Sequence, residues 1–188
     1  MRQVIGLIAG GFKPLTKGHY FLIQSAANEC DKVYLFVSIK DRSRPGEVEI
    51  TWEQMSKVWK AFLEKAMPKN VSVNYHSAPI RGIMDILIAA NADETNENTY
   101  IVYSDEEDIV KNFPDRAKQK YMNRLIANDQ VIFEPFKRSS GVNISGTKMR
   151  QYLQTGNLEA FVQGLPDAVQ LYGPKIYRML GGVSIKEE

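Results

Sequence analysis

Short apolar segments alternate with longer segments of helical periodicity along most of the chain. Val4–Ile8 is apolar on both alternating faces, which is typical of a strand buried on two sides in a parallel sheet. Further strands are predicted at residues 32–39, 71–75, 99–103 and 130–134. Helices are predicted at residues 18–30, 51–66, 80–92, 145–154, 157–163 and 166–180. This alternation predicts an α/β domain with a doubly wound, parallel, five-stranded sheet.

Two regions carry more detailed signals. Thr51 with Gln54 matches a capping box, and apolar residues follow at helical spacing until Pro68, so one continuous helix is predicted there. Between Glu106 and Arg124 the pattern predicts two short helices. Because ligands bind outside the carboxyl ends of strands in doubly wound sheets, the loops after the first, second, fourth and fifth strands are the expected functional regions.

Composition changes this picture mainly by exclusion. The 188 residues include 24 Lys or Arg and 22 Asp or Glu, a net charge of +2, which argues against a general nucleic-acid coat or a polybasic membrane anchor. No stretch approaches the roughly 18 apolar residues of a membrane span, and no targeting segment is visible. With a single cysteine, Cys30, no intrachain disulfide is expected, and a reducing, cytoplasmic location is the prediction.

The loop after the first strand carries the first candidate for chemistry, the segment from Gly10 to His19. Gly10 and Gly11 allow the backbone to approach a ligand closely. Gly18 and His19 fall in the first turn of the next helix, where free N–H groups and the positive end of the helix dipole favour phosphate. Lys13 either binds a phosphate or is an ordinary solvated lysine. The spacing matches neither the dinucleotide-binding fingerprint nor a P-loop.

A second candidate, the segment from Asn143 to Arg150, opens a later predicted helix. Ser145 or Thr147 caps this helix, and Lys148 and Arg150 bring positive charge to the same end. The expected ligand is an anion, most naturally a polyphosphate. Each motif alone is usually a plain turn or a plain helix cap. Two of them, each following a predicted strand, indicate a phosphate-binding site.

These two segments resemble the signatures of the nucleotidylyltransferase superfamily. Thr16–His19 resembles its T/H-x-G-H motif, and Ile144–Arg150 resembles its I-S-S/G-T-x-x-R motif. The resemblance covers roughly residues 1–155 and implies a Rossmann-like sheet with strand order 3-2-1-4-5. Residues 156–188 are then expected to form a short helical tail on the same domain. The family transfers a nucleotidyl group from ATP or CTP to a phosphate-bearing acceptor, with Mg²⁺, and releases pyrophosphate.

The form of the second motif bears on the substrate. Its S-G-T-x-x-R pattern is most similar to nicotinamide mononucleotide (NMN) adenylyltransferases and to ATP sulfurylases, which implies ATP and, as acceptor, NMN. The R-T-x-G-I-S-T pattern of cytidylyltransferases is matched only in part by residues 138–147. A cytidylyltransferase acting on a polyol, sugar or choline phosphate is the alternative. Because Thr16, Lys13 and Tyr103 depart from common family patterns, a nucleotide-binding module without catalysis is a third interpretation.

The resemblance also implies roles for individual residues. His19 donates a hydrogen bond to a nucleotide phosphate, and Thr16 is a second donor. Lys148 and Arg150 neutralise the leaving pyrophosphate. Nucleotide-binding positions are carried over to Gly10, Gly11, Phe12, Lys13, Gly18, Ser145, Gly146 and Thr147, of which Ser145, Gly146 and Thr147 hold the β and γ phosphates.

Partners follow from the same resemblance. The expected partners are a nucleotide and a small phosphate-bearing acceptor, with neither nucleic acid nor a membrane among them. No metal site made of protein ligands is predicted, and a homo-oligomer is compatible with the family. Weaker candidates are Arg42 after the second strand, Ser104 and Asp105 after the fourth, and the pair Lys137 and Arg138.

Overall fold

The computed structural model describes residues 1–136 and 144–184. This part of the chain divides into two compact units. The first comprises Met1–Gly10, Leu22–Ser38 and the described part of Pro68–Lys137. The second comprises Gly11–Phe21, Ile39–Met67 and the described part of Arg138–Glu188. The predicted division into residues 1–155 and 156–188 stays a prediction.

The first unit contains a five-stranded parallel sheet. Its strands are β1 (Val4–Gly10), β2 (Lys32–Ser38), β3 (Val71–His76), β4 (Thr99–Ser104) and β5 (Val131–Pro135). The strand order is β3-β2-β1-β4-β5, and every neighbouring pair is parallel. The central strand β1 buries both Leu7 and Ile8, which explains why its sequence is apolar on both faces. The predicted Rossmann-like α/β fold is confirmed.

The helices connect the strands and continue after them. In chain order they are α1 (Lys17–Glu29), α2 (Trp52–Val58), α3 (Glu64–Ala66), α4 (Pro79–Ala92), α5 (Glu106–Asn112), α6 (Asp115–Tyr121), α7 (Asn123–Ala127), α8 (Gly146–Thr155), α9 (Leu158–Gly164) and α10 (Gly173–Met179). Helices lie on both sides of the sheet, and a helical part ends the chain. No helix in the described ranges is both long and apolar enough to cross a membrane.

Within the first unit, the segment after β4 folds differently from the prediction. Three helices, α5 to α7, replace the two short helices that the pattern predicts. Pro114 holds an extended backbone before α6 and so separates it from α5. Met122 interrupts the helical backbone between α6 and α7, and its side chain is completely buried in the core of the unit. Tertiary packing at Met122 therefore adds a break that local sequence does not encode.

Within the second unit, the predicted helix over residues 51–66 contains a wider turn. The Thr51–Gln54 capping box is confirmed, and helical structure continues to Ala66, but Trp59–Leu63 forms a π-helical turn between α2 and α3. Such turns are frequent near functional sites. The predicted helix over residues 166–180 likewise consists of a 3₁₀ segment, Asp167–Tyr172, followed by α10.

Candidate functional site

All contacts of the candidate site described below lie within the second unit, and the first of them involve the loop before α1. Gly11 is exposed, and a Cβ added there would meet no described atom within 4 Å. Phe12 has a left-handed backbone, with φ 50°, while its side chain is buried. Residues other than glycine rarely adopt this conformation, and its cost is tolerated mainly at functional sites. The loop thus presents open backbone at Gly11 beside a strained, anchored residue.

Thr16 and His19 form a capping box at the start of α1. The His19 backbone N–H donates to Thr16 Oγ1 at 3.3 Å, and the Thr16 backbone N–H donates to His19 Nδ1 at 3.1 Å. The histidine ring takes the part that Gln54 plays opposite Thr51 at α2. The T-x-G-H motif is therefore also a local structural motif that orients His19.

The ring of His19 has a second support. The Phe12 ring meets it edge-on, with centroids 5.1 Å apart, and Phe12 in turn contacts the buried Trp59 ring at 6.4 Å. Thr16 is fully buried, and Gly18 in the first helical turn is buried as well. The strained loop residue and the helix start therefore hold one side of the imidazole.

The second motif forms the start of α8. Ser145 is its N-cap, with Oγ accepting a hydrogen bond from the Lys148 backbone N–H at 3.1 Å, so Ser145 rather than Thr147 supplies the predicted cap. Thr147 and Lys148 are exposed, and the Lys148 side chain makes no ion pair among the described residues. Gly146 lies so near the first motif that an added Cβ would be 3.8 Å from the Lys13 carbonyl oxygen.

Arg150 joins the two motifs. Its side chain is only 3% exposed, and Nη1 donates to the Lys13 carbonyl oxygen at 2.9 Å. Nη2 donates to Thr147 Oγ1 at 3.1 Å, and Nε donates to Glu47 Oε2 at 2.9 Å. Whereas the sequence places Lys148 and Arg150 together as charges at the helix start, the structure exposes Lys148 and turns Arg150 inward. Three of the five guanidinium N–H donors are already engaged within the protein.

Glu47 is a residue of the site that the sequence does not indicate. Its carboxylate accepts the Arg150 hydrogen bond and lies 3.8 Å from Arg42 Nε. The hydrogen bond from Arg150 holds the pKa of Glu47 below its ordinary value. Burial, together with the neighbouring positive charges of Arg150 and Arg44, lowers the pKa of Arg42. Three arginines therefore surround a single loop carboxylate, and positive charge is in excess.

Lys13 is buried rather than solvated, which removes one of the two interpretations that its sequence left open. Its side chain is 5% exposed, Nζ donates to the Gly11 carbonyl oxygen at 3.2 Å, and the ammonium lies 5.6 Å from the centre of the Trp52 ring. Burial lowers the pKa of Lys13 to about 8, partly opposed by the charge of Asp41. A buried amine with this pKa gains its full charge near neutral pH when an anion is bound beside it.

The remaining predicted residues divide by location. Gly10 ends β1 in the first unit, paired in register with Val37. Tyr103, also in that unit, is buried, and its hydroxyl donates to Glu29 at 2.7 Å. Burial raises the pKa of that phenol. Lys137, Arg138 and Asn143 lie outside the described residues.

Crowding at Gly146 leads to a first testable prediction. In the variant Gly146→Ala the new methyl lies 3.0 Å from Arg150 Nη1, closer than ordinary contacts, and Arg150 is held by three partners. We expect the free energy of unfolding to fall by about 1 kcal/mol, at the low end for overpacking. Chemical denaturation measures the change, and Gly11→Ala, whose methyl meets open space, is the matched control. Equal stability of the two variants would contradict the expected crowding.

Together these features suit an anion that carries several charges. Two helix starts, those of α1 and α8, offer free backbone N–H groups beside Lys13, Arg42 and the exposed Lys148. Across the described ranges, no group of three or more His, Cys, Asp or Glu side chains is arranged to hold a metal ion. The arrangement can bind phosphate groups and stabilise negative charge that develops on them.

Comparison with known proteins agrees with this fold. The family described as "Citrate lyase ligase C-terminal domain" matches residues 5–60, which include β1, the first motif and the beginning of α2. No curated protein sequence matches the chain.

Several solved structures share the fold at low sequence identity. A bifunctional NMN adenylyltransferase/ADP ribose pyrophosphatase from Francisella tularensis, complexed with AMP and a Mn ion, has a TM-score of 0.57 at 16% identity, over 96% of this chain and 52% of its own. TmcAL from Thermotoga maritima bound with alpha-thio ATP gives 0.53 at 15%, over 96% and 55%. Nicotinic acid mononucleotide adenylyltransferase from Plasmodium falciparum, complexed with NaAD, gives 0.53 at 12%, over 97% and 99%. The chain thus spans about half the length of the first two.

Proposed function

We propose that this protein is an adenylyltransferase that transfers AMP from ATP to a small phosphate-bearing acceptor, with NMN as the first candidate. The carrying observation is the hydrogen bond from Arg150 to the Lys13 carbonyl, which fastens the start of α8 to the loop before α1. The two motifs that resemble nucleotidylyltransferase signatures thereby form one phosphate-suited surface. The adenylyltransferases among the structures of similar fold support the choice of reaction.

In the proposed reaction an oxygen of the acceptor phosphate attacks the α-phosphorus of ATP. The new P–O bond forms as the bond from that phosphorus to the bridging oxygen breaks, and pyrophosphate leaves with the bridging oxygen. No bond to the protein forms, so the protein contributes position and charge stabilisation. His19 donates a hydrogen bond to the α-phosphate, while the α8 start and Lys148 bind the β and γ phosphates.

Lys13 and Gly11 form the proposed floor for the triphosphate. The Lys13 ammonium lies against the Gly11 carbonyl, and Gly11 is open on the side where a side chain would project. Because the described residues offer no cluster of metal ligands, Mg²⁺ is proposed to arrive already bound to the nucleotide phosphates, as it commonly does.

A substrate panel tests the proposed function. The protein is incubated with Mg²⁺ and either ATP or CTP, together with NMN, nicotinic acid mononucleotide, or a polyol, sugar or choline phosphate, and pyrophosphate release is measured. Release with ATP and NMN supports the proposal in full. Release only with CTP supports cytidylyl transfer, and nucleotide binding without turnover on any acceptor supports a binding module. Absence of nucleotide binding would sink all three.

The open space at Gly11 gives a prediction that separates ligand contact from folding. Gly11→Ala adds a methyl that meets no described atom within 4 Å, so the free energy of unfolding is expected to change by less than about 0.5 kcal/mol. If triphosphate lies over Gly11, ATP affinity falls by about tenfold or more, because the ligand must move away from the backbone. Calorimetric titration with ATP measures the loss, and unchanged affinity would place the phosphates elsewhere.

Lys13 predicts a specific pH dependence of nucleotide binding. Its amine carries a positive charge below its pKa of about 8 and loses that charge as the pH rises. The dissociation constant for ATP is therefore expected to rise by about tenfold for each pH unit above 8 until the amine of the complex also titrates. Titrations with ATP between pH 7 and 9.5 measure the slope.

The control for this prediction is Lys13→Met, which fills similar volume without a charge. Its ATP affinity should be weaker at neutral pH and free of the slope above pH 8. Stability changes in the opposite sense, since the folded state lowers the pKa from 10.5 to about 8. The cost of the buried charge is complete below pH 8 and is relieved as the pH rises toward 10.5. A slope that persists in Lys13→Met would assign it to another group.

A further inference from the structure

The contacts of His19 define which of its ring nitrogens carries the hydrogen. The Thr16 backbone N–H points at Nδ1 from 3.1 Å, and a backbone N–H is only ever a donor. Nδ1 must therefore present its lone pair. In the neutral ring the hydrogen then sits on Nε2, the nitrogen on the other side of the imidazole.

The Thr16 hydroxyl fits the same assignment. Its oxygen accepts the His19 backbone N–H at 3.3 Å and lies 3.1 Å from Nδ1, so its own hydrogen is free to point toward that lone pair. Thr16 is completely buried, and the ring is braced by Phe12 on one side. A proton added to Nδ1 would face a backbone N–H with no acceptor between them.

We infer that Thr16 is a positioning residue that holds His19 in its neutral form with the hydrogen on Nε2, so that His19 serves as a fixed hydrogen-bond donor and not as a proton donor. This inference rests on the proposed function only for what the donor serves, the phosphate undergoing transfer. The threonine that replaces the histidine found in many relatives is then part of how the second histidine works. The positive charge at the transferred phosphate comes from lysine and arginine, not from imidazolium.

The chain itself contains the comparison that makes this testable. At α2 the same capping box is completed by Gln54, whose Oε1 accepts from the Thr51 backbone N–H at 2.9 Å. A glutamine in place of His19 can accept from Thr16 in the same way and keeps an N–H₂ group as a neutral donor. It carries no proton to give at any accessible pH.

The first measurement needs no substrate. The chain has two histidines, His19 and His76, so His76→Gln leaves the ring of His19 as the sole imidazole in long-range ¹H–¹⁵N correlation spectra. At neutral pH and without nucleotide, Nε2 is expected to be protonated and Nδ1 unprotonated. A hydrogen on Nδ1, or averaging between the two forms, would overturn the inference whether or not the protein transfers adenylyl groups.

The second measurement compares His19→Gln with His19→Ala in the transfer assay across pH. A fixed neutral donor predicts that the glutamine variant keeps a kcat about tenfold or more above that of the alanine variant, with the same pH profile as the unchanged protein. Equal loss in both variants would overturn the donor role and favour proton transfer. If the unchanged protein transfers no nucleotide, the proposed function fails, and the spectra alone decide the tautomer.

Discussion

Replacing His19 by alanine is expected to lower kcat for adenylyl transfer by about 10²–10³-fold, the typical loss when one donor to a developing anion is removed. The ring lies at the start of α1, where its orientation is set by Thr16 and Phe12. Since substrate and transition state differ most at the transferred phosphate, kcat should fall more than the affinity for ATP. Steady-state kinetics over a range of ATP concentrations separates the two effects.

The alanine variant also loses one capping contact, so its stability needs a matched control. Gln54→Ala removes the equivalent contact from the capping box at α2, and Gln54 has no proposed contact with the nucleotide. Both variants are expected to lose about 1 kcal/mol of unfolding free energy. Only the His19 variant should lose turnover. A comparable loss of turnover in Gln54→Ala would trace the effect to helix capping instead of to the imidazole.

The sheet is predictable from sequence because its physical cause is local. A strand covered on both sides must be apolar on both faces, and the segments of β1 and β2 show this directly. The strand order came from the family resemblance, not from the pattern of residues, and the structure confirms it. The π-helical turn at Trp59–Leu63 was not predictable, because a wider turn leaves the spacing of apolar residues almost unchanged.

The candidate site was predictable only where its residues are neighbours in sequence. The helix start of α8 and the one of α1 follow from local capping signals. Glu47 lies in a polar loop with no signal of its own, and its partner Arg150 is 103 positions away, so only the folded chain brings them together. The reciprocal contact of Thr16 and His19 escaped notice because histidine is not the usual residue at that place in a capping box.

The buried guanidinium of Arg150 gives the prediction with the largest expected effect on both folding and binding. Arg150→Met keeps the length of the side chain and removes every donor. The buried Lys13 carbonyl then loses its partner, which costs about 1–3 kcal/mol of unfolding free energy. Because the start of α8 is no longer tied to the loop before α1, we also expect ATP affinity to fall by about tenfold or more, measured by calorimetric titration. Arg150→Lys should not restore either, since one ammonium does not span the three partners.

Glu47→Gln separates the ion pair from the carbonyl contact. It leaves the Arg150 hydrogen bonds to Lys13 and Thr147 in place and removes only the carboxylate. In the unchanged protein the pKa of Glu47 is lowered in the folded state, so its contribution to stability is present above its ordinary value of 4.5 and is lost as the pH falls below it. Denaturation at pH 7 and pH 3.5 should show a smaller acid loss in Glu47→Gln. If this variant loses ATP affinity as fully as Arg150→Met does, the ion pair, and not the bond to the Lys13 carbonyl, holds the two motifs together.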